Sequence, residues 1–329
     1  MKKARVLSGM RPSGKLHLGH YHGVLENWLK LMATDECFFF VADWHALTTG
    51  YADTKTVKAN VTDMVLDWIS VGIDPEKSVI FRQSDVLEHA ELFVLLSMIT
   101  PIPWLERNPT YKEQMTELKD KDIHTFGFLG YPVLQTADII VYKANKVPVG
   151  VDQAPHVELS REITRRFNFL YGETFPEPAT LLTEASKVLG TDGRKMSKSY
   201  DNAVYLSDED SVIEKKLSAM VTDTARKRKT DPGTPGQCPF YTSYHVIYSD
   251  ASTLEWVKAG CTGATIGCIE CKRSAIPKIV ERIRPIREKR MELSKDPSFV
   301  EGVLKKGADK AREVAASTMN DARKAMGLK

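Results

Sequence analysis

Val6-Leu7-Ser8-Gly9-Met10-Arg11-Pro12-Ser13-Gly14-Lys15-Leu16-His17-Leu18-Gly19-His20 is the stretch on which the fold turns. Its first five residues read as a short buried strand, and Pro12-Ser13-Gly14 breaks that strand with turn-forming residues. From Leu18 the apolar residues Tyr21, Val24, Leu25, Trp28, Leu29 and Met32 recur at helical spacing. Working outward, residues 37–42 and 78–82 read as further strands, with a helix over 54–71 between them. Ser84 is placed to cap the next helix, which ends near Pro101 and Pro103. A helix over 133–143, a strand over 147–149 and a helix over 154–167 follow. Alternating strands and helices predict an α/β fold with a parallel sheet and right-handed crossovers. The alternation fades after residue 200, where Ser207-Asp208-Glu209-Asp210 introduces a helix over 212–220. Beyond it the pattern is helices joined by loops.

The chain has 329 residues, 42% hydrophobic and 27% charged, which suits a globular protein of two unequal domains. No apolar run approaches a membrane span, and Met1-Lys2-Lys3-Ala4-Arg5 does not begin a signal peptide, so a cytoplasmic location is expected. A net charge of +3 does not by itself announce a nucleic-acid partner. Arg226-Lys227-Arg228-Lys229 is a local basic run, which reads as a solvated face or as a phosphate-binding patch.

Two motifs carry chemistry. His17-Leu18-Gly19-His20 sits at the start of the first helix, with two imidazoles on one face and a glycine that admits a flat nucleotide. Free N–H groups of a helix N-terminus suit phosphate. Lys195-Met196-Ser197-Lys198-Ser199 follows Gly190 and Gly193, and a loop with two ammonium groups and two hydroxyls suits a triphosphate. Alone, each motif reads equally as surface histidines or as a charged loop. In this order, on these elements, they make a specific pair.

The pair resembles the HIGH and KMSKS motifs of class I aminoacyl-tRNA synthetases. Ser8-Gly9-Met10-Arg11-Pro12-Ser13-Gly14, Ala42-Asp43-Trp44-His45-Ala46-Leu47-Thr48, Tyr131-Pro132-Val133-Leu134-Gln135-Thr136-Ala137-Asp138-Ile139 and Pro148-Val149-Gly150-Val151-Asp152-Gln153 are similar to the tryptophanyl-/tyrosyl-tRNA synthetase branch, in its bacterial tryptophanyl form. The resemblance extends over essentially the whole chain. It implies a Rossmann-like catalytic domain over 1–206 and an α-helical anticodon-binding domain over 207–304. A C-terminal helix over 305–329 is expected to pack back on the first domain. It also implies ATP, L-tryptophan and tRNA(Trp) as partners, Mg²⁺ travelling with ATP, and a homodimer with residues 102–108 at its interface.

The resemblance assigns residues. Asp138 accepts the indole N–H, and the chemistry agrees, because indole offers one donor and no acceptor. Tyr131 and Gln153 hold the α-ammonium and carboxylate region. Leu7, Gly9, Val147 and Val149 wall the ring, with Gln135 beside it. Gly150, Val151 and Asp152 meet adenosine. Arg11, Pro12, Ser13, Gly19 and His20 border ATP, and Val188 touches adenine. His17, His20, Lys195 and Lys198 act on the phosphates, Met196, Ser197 and Ser199 belong to the same loop, and Lys121 is a weaker third cation. Arg11 departs from the glutamine of most bacterial relatives, Gln135 from a common methionine, and Leu18 from the usual second motif position.

Of the five cysteines, Cys37 lies in an apolar run and reads as core. The others follow the spacing Cys238-x22-Cys261-x6-Cys268-x2-Cys271. Such clustering suggests a metal centre, either a four-cysteine zinc site or a [4Fe–4S] cluster. The spacing resembles an iron–sulfur-bearing subgroup of the tryptophanyl enzymes. Arg226, Lys227, Arg228, Lys272 and Arg273 are expected to meet RNA near it. A tyrosyl-tRNA synthetase is the nearest alternative, although residue 40, where a phenol would need a polar partner, is Phe40. A small-metabolite nucleotidylyltransferase, with its His-x-Gly-His motif, and a binding protein that has lost catalysis are further alternatives.

Overall fold

In the computed structural model, residues 3–117, 122–182 and 188–329 are described. The first half is built on β1 (Arg5–Met10), β2 (Glu36–Val41), β3 (Ser78–Arg82), β4 (Lys146–Val149) and β5 (Ala179–Leu182). All neighbours are parallel, in the order β3-β2-β1-β4-β5. Its helices are α1 (Leu18–His20), α2 (Glu26–Thr34), α3 (Asp43–Gly50), α4 (Val57–Ser70), α5 (Glu88–Ser97), α6 (Ile102–Glu106), α7 (Pro109–Glu117), α8 (Phe126–Val141) and α9 (Ala154–Tyr171). The remainder is helical: α10 (Asp210–Ala219), α11 (Val246–Tyr248), α12 (Ala251–Thr262), α13 (Cys268–Leu293) and α14 (Phe299–Ala325). No helix among the described residues is long and apolar enough to cross a membrane.

Side chains alternate across a strand, so the central strands feed two cores. Val6, Cys37, Phe39 and Val41 point into one, with α2, α4, α10 and α13. There Trp28 stacks on Phe39 at 4.2 Å between ring centroids and meets Trp68 edge-on. Leu7, Phe38 and Phe40 point into the other, with α5, α8, α9 and α14. The helical region therefore shares a core with the sheet.

The C-terminal helix α14 covers the edge strand β3, an arrangement that removes an exposed strand edge. The contact depends on Gly307: a Cβ there would lie 1.7 Å from the carbonyl oxygen of Ile80. Arg82 pairs with Glu301 across the same interface, and Arg323 with Glu91 ties α14 to α5.

Ser84 does not cap α5. It lies in a 3₁₀ turn (Gln83–Asp85), and its N–H and hydroxyl both donate to the buried carboxylate of Asp43. The strand β5 escapes the sequence pattern because it is a four-residue edge strand with three exposed positions.

Candidate active site

The strand order reverses between β1 and β4, and a crevice opens at the C-terminal ends of those strands, as in other open α/β sheets. It forms a cavity of 380 Å³. The predicted residues Leu7, Gly9, Arg11, His20, Tyr131, Gln135, Asp138, Val147, Val149, Gly150 and Gln153 all line it. Gly9 is required by packing: a Cβ there would lie 2.4 Å from the ring of Phe40, its cross-strand partner. Phe40 faces the same cavity, so residue 40 brings no polar group to it.

Asp138, on α8 and 1% exposed, is the electrostatic centre of this pocket. Its Oδ1 accepts from Gln83 Nε2 at 2.7 Å and His89 Nδ1 at 2.6 Å, and its Oδ2 accepts from His45 Nε2 at 2.7 Å. Burial pushes the carboxyl pKa up, but the charge and hydrogen bonds of His45 and His89 outweigh it and hold the group at about 2. The other nitrogen of His89, Nε2, is hydrogen-bonded to the hydroxyl of Tyr142 at 2.7 Å, which fixes the ring in place. A carboxylate has about four acceptor positions. Three are filled, and one remains beside the cavity for a single donor.

A second network shapes the neighbouring wall. His156 Nδ1 donates to Gln153 Oε1 at 3.0 Å, and its Nε2 accepts from the hydroxyl of Tyr131 at 2.7 Å. The Tyr131 oxygen thus keeps lone pairs for a ligand cation. Burial, opposed by Arg11, raises the Tyr131 phenol to about 12, so it stays neutral.

The two signature motifs lie together beside this pocket. The first is stitched to the chain following the second by backbone bonds, Leu18 N–H to Val204 O and Leu206 N–H to Leu16 O, both 3.0 Å. His17 and His20 stack with centroids 3.8 Å apart, and the backbone N–H of His17 donates to His20 Nδ1. Burial and then Lys198 lower His17 to about 4, while burial, His17 and Lys198 lower His20. Both imidazoles are therefore neutral near pH 7 and offer hydrogen bonds without charge. The Nδ1 of His17 is buried with no partner. The Nζ of Lys198 donates to Ser13 Oγ at 3.3 Å, and burial, opposed by Asp67 and Asp63, lowers its pKa to about 8. Ser197, Asn202, Asp192 and the carbonyl of Lys195 form a hydrogen-bonded frame that holds the loop in shape.

Other predicted residues stand apart from the cavity lining. Val188 and Met196 are buried in the core with Leu16 and Leu18. Lys195 and Ser199 are exposed, whereas Pro12 is buried. Lys121 and the side chain of Asp152 lie outside the described residues. Sequence reasoning missed Gln83, His45, His89, Tyr142 and His156. The only available signal was that an apolar helix carrying Asp138 must find donors elsewhere.

The four clustered cysteines converge in space. Burial raises Cys271 to about 12, and Cys238, Cys261 and Cys268 push it the same way. Cys268 and Cys271 occupy the first turn of α13. His245 Nε2 lies 3.2 Å from Cys271 Sγ, and Arg226 Nη1 donates to Cys261 Sγ at 3.9 Å. The thiols do not close on one ion: among the described residues no group of three or more His, Cys, Asp or Glu side chains is arranged to hold a metal ion. Two expected RNA contacts are otherwise engaged. Lys272 is 6% exposed, and its Nζ donates to the carbonyls of Ser218, at 2.7 Å, and Met220. Arg226 donates to the carbonyls of Lys229 and Ile266. Lys227, Arg228 and Arg273 remain exposed.

Comparison with known proteins agrees with this geometry. Residues 1–283 match the family described as tRNA synthetases class I (W and Y). The tryptophan–tRNA ligase of Thermotoga maritima is 52% identical over 325 residues, covering 98% of this chain and 99% of that protein. The tryptophan–tRNA ligase of Aquifex aeolicus is 46% identical, covering 98% of this chain and 100% of its own length. The crystal structure of tryptophanyl-tRNA synthetase from Campylobacter jejuni complexed with ADP and tryptophan superposes with a TM-score of 0.88 at 34% identity, covering 98% of this chain and 99% of that one.

Proposed function

The chain belongs to the class I tRNA synthetases for tryptophan and tyrosine and acts as a tryptophan–tRNA ligase, and from that premise we propose which residues carry each step. The reaction joins tryptophan to ATP as an adenylate with release of pyrophosphate, then transfers the tryptophanyl group to the terminal ribose of tRNA(Trp). The observation that carries the assignment is Asp138: buried, ionised and with one acceptor position left beside the pocket. That vacancy matches the single N–H of indole. Leu7, Gly9, Val147 and Val149 wall the ring, and Gln135 stands beside it. Tyr131 and Gln153, oriented by His156, receive the α-ammonium.

The attacking carboxylate is already ionised, so no general base is needed, and the protein's work is positioning and charge stabilisation. Pro12, Ser13, Gly19 and His20 border ATP, and Gly150, Val151 and Asp152 face its adenosine. His17 and His20 donate hydrogen bonds to the phosphate chain. Lys198 and Lys195 follow the β- and γ-phosphates, with Met196, Ser197 and Ser199 shaping their loop. Mg²⁺, entering with ATP, would supply charge neutralisation on the phosphates, and Lys195 and Lys198 would share that work.

The four cysteines are read as the ligands of a [4Fe–4S] cluster on the resemblance of their spacing, with a four-cysteine zinc site as the alternative. Cys238, Cys261, Cys268 and Cys271 would hold the cluster, whose role is to fix the loop before α13 for the anticodon. Lys227, Arg228 and Arg273 are the cations left to meet the RNA.

A homodimer is supported by the exposed apolar side chains Leu87, Val94, Met98, Ile102 and Phe126, on or near α5, α6 and the start of α8.

The test is ATP–pyrophosphate exchange with each amino acid supplied in turn. Tryptophan alone drives exchange in this account. Exchange with tyrosine moves the protein to the sister specificity, and no exchange with any amino acid overturns the assignment.

A further inference from the structure

Arg11 follows the last residue of β1 and lines the cavity with Tyr131, Gln135 and Gln153. Among the described residues its guanidinium makes no hydrogen bond or ion pair. It is open to the cavity's water but surrounded by protein, so desolvation lowers its pKa, with Tyr131 opposing. Arginine keeps its charge under such a shift, and its planar fork of donors matches a carboxylate. An unpaired guanidinium in a substrate cavity is a site prepared for an anion.

The reaction brings two kinds of anion, the amino acid's carboxylate and the phosphates of ATP. The phosphate side is already furnished by His17, His20, Lys198 and Ser13: the two imidazoles stack, Lys198 donates to Ser13, and only His20 of the four reaches the cavity lining. The charged or polar neighbour that Arg11 feels is Tyr131, on the wall that orients an ammonium. In an α-amino acid the carboxylate is one carbon from that ammonium.

We propose that Arg11 clamps the α-carboxylate of tryptophan, holding one oxygen while the other attacks the α-phosphorus. A carboxylate O–P bond forms, the bond from the α-phosphorus to the bridging oxygen breaks, and the electron pair leaves with pyrophosphate. Arg11 stays protonated throughout and keeps its hold on the carbonyl oxygen of the adenylate. This moves Arg11 from the ATP contacts to the amino-acid contacts. It rests on the tryptophan-activating reading of the pocket.

The experiment compares tryptophan with tryptophanamide, which keeps the ring and the ammonium but has no carboxylate. Binding is measured by calorimetry on wild type, Arg11→Gln and Arg11→Lys, alongside exchange kinetics. A charge-assisted contact of this kind is worth about ten- to a hundred-fold in affinity. Wild type is therefore expected to prefer tryptophan to the amide by about that factor, and Arg11→Gln to bring the two within about two-fold. KM for tryptophan rises correspondingly and KM for ATP stays put. Arg11→Lys keeps a point charge and retains part of the preference, which reads the clamp even if the glutamine variant fails to fold. An unchanged preference in a folded Arg11→Gln, or a rise in KM for ATP alone, overturns the proposal. Either of those results with tryptophan-dependent exchange intact leaves the enzyme's assignment standing, whereas wild type without such exchange removes the assignment itself.

Discussion

Arg290, on α13, reaches the carboxylate of Asp67 inside α4: its Nε lies 2.7 Å from Oδ1, while Oδ2 accepts from the backbone N–H of Leu16 at 3.0 Å. The signature histidine His17 follows Leu16 directly. A residue of the helical region therefore braces the start of the nucleotide motif through one buried carboxylate, 1% exposed at its side chain. Removing one partner of a buried pair leaves the other uncompensated and costs about 3–5 kcal/mol. Arg290→Met is expected to lower stability in urea by that order and to slow exchange. Stability within about 0.5 kcal/mol of wild type would show the pair to be an ordinary surface contact.

Lys198 sets a pH limit. Its pKa is lowered to about 8 by burial, so the ammonium is present below that pH and lost as pH rises through it. The value of kcat/KM for ATP reports the free enzyme. It is expected to be level from pH 7 to about 8 and to fall beyond, by at most about ten-fold per pH unit for one proton. Lys198→Arg, which cannot lose its charge, should remove that inflection even if its overall rate is lower. An inflection that survives in the arginine variant assigns it to another group.

In the proposed mechanism the histidines of the first motif serve as neutral donors. His17 is lowered to about 4, so no loss of activity from its protonation is expected between pH 7 and 5.5. His17→Ala should reduce kcat by about a hundred-fold or more, as loss of a transition-state donor does, and His17→Asn should recover part of that. Equal losses in both variants would mean that the ring acts by packing.

At Gly307 the helix and strand touch backbone to side-chain position, with no flexible group to give way. Gly307→Val is expected to separate α14 from β3 and to lower the thermal midpoint by several degrees, since overpacking costs about 1–3 kcal/mol. An unshifted midpoint would contradict the packing of that helix.

Much of the architecture is legible in the sequence because β1 and β2 are short apolar runs and the first helix shows its period. The pocket's apolar walls follow from the same strands, and Asp138 announces itself as a carboxylate in an apolar helix. Its partners do not: Gln83, His89 and His45 lie 55, 49 and 93 residues away, and only the fold brings them together. Lys272 illustrates the opposite error, a lysine in a basic segment that is consumed by carbonyls at the end of α10. Charge runs read from sequence say nothing about which cations are already engaged.

The cysteine site admits a direct assay. Anaerobically purified protein is expected to carry about four iron and four sulfide per chain, with Cys268→Ser losing both. Zinc at one per chain, without sulfide, would replace the cluster assignment.

The central claim is that Asp138 reads the indole N–H, and the most direct measurement uses a tryptophan analogue with sulfur in place of that N–H. Exchange with wild type should favour tryptophan over this isostere by at least about a hundred-fold, because the rejected analogue leaves a buried carboxylate short of its donor. Asp138→Ala should lose most of that preference while falling in rate with tryptophan. A wild-type enzyme that uses both substrates equally well, or an Asp138→Ala variant that still discriminates, contradicts the account.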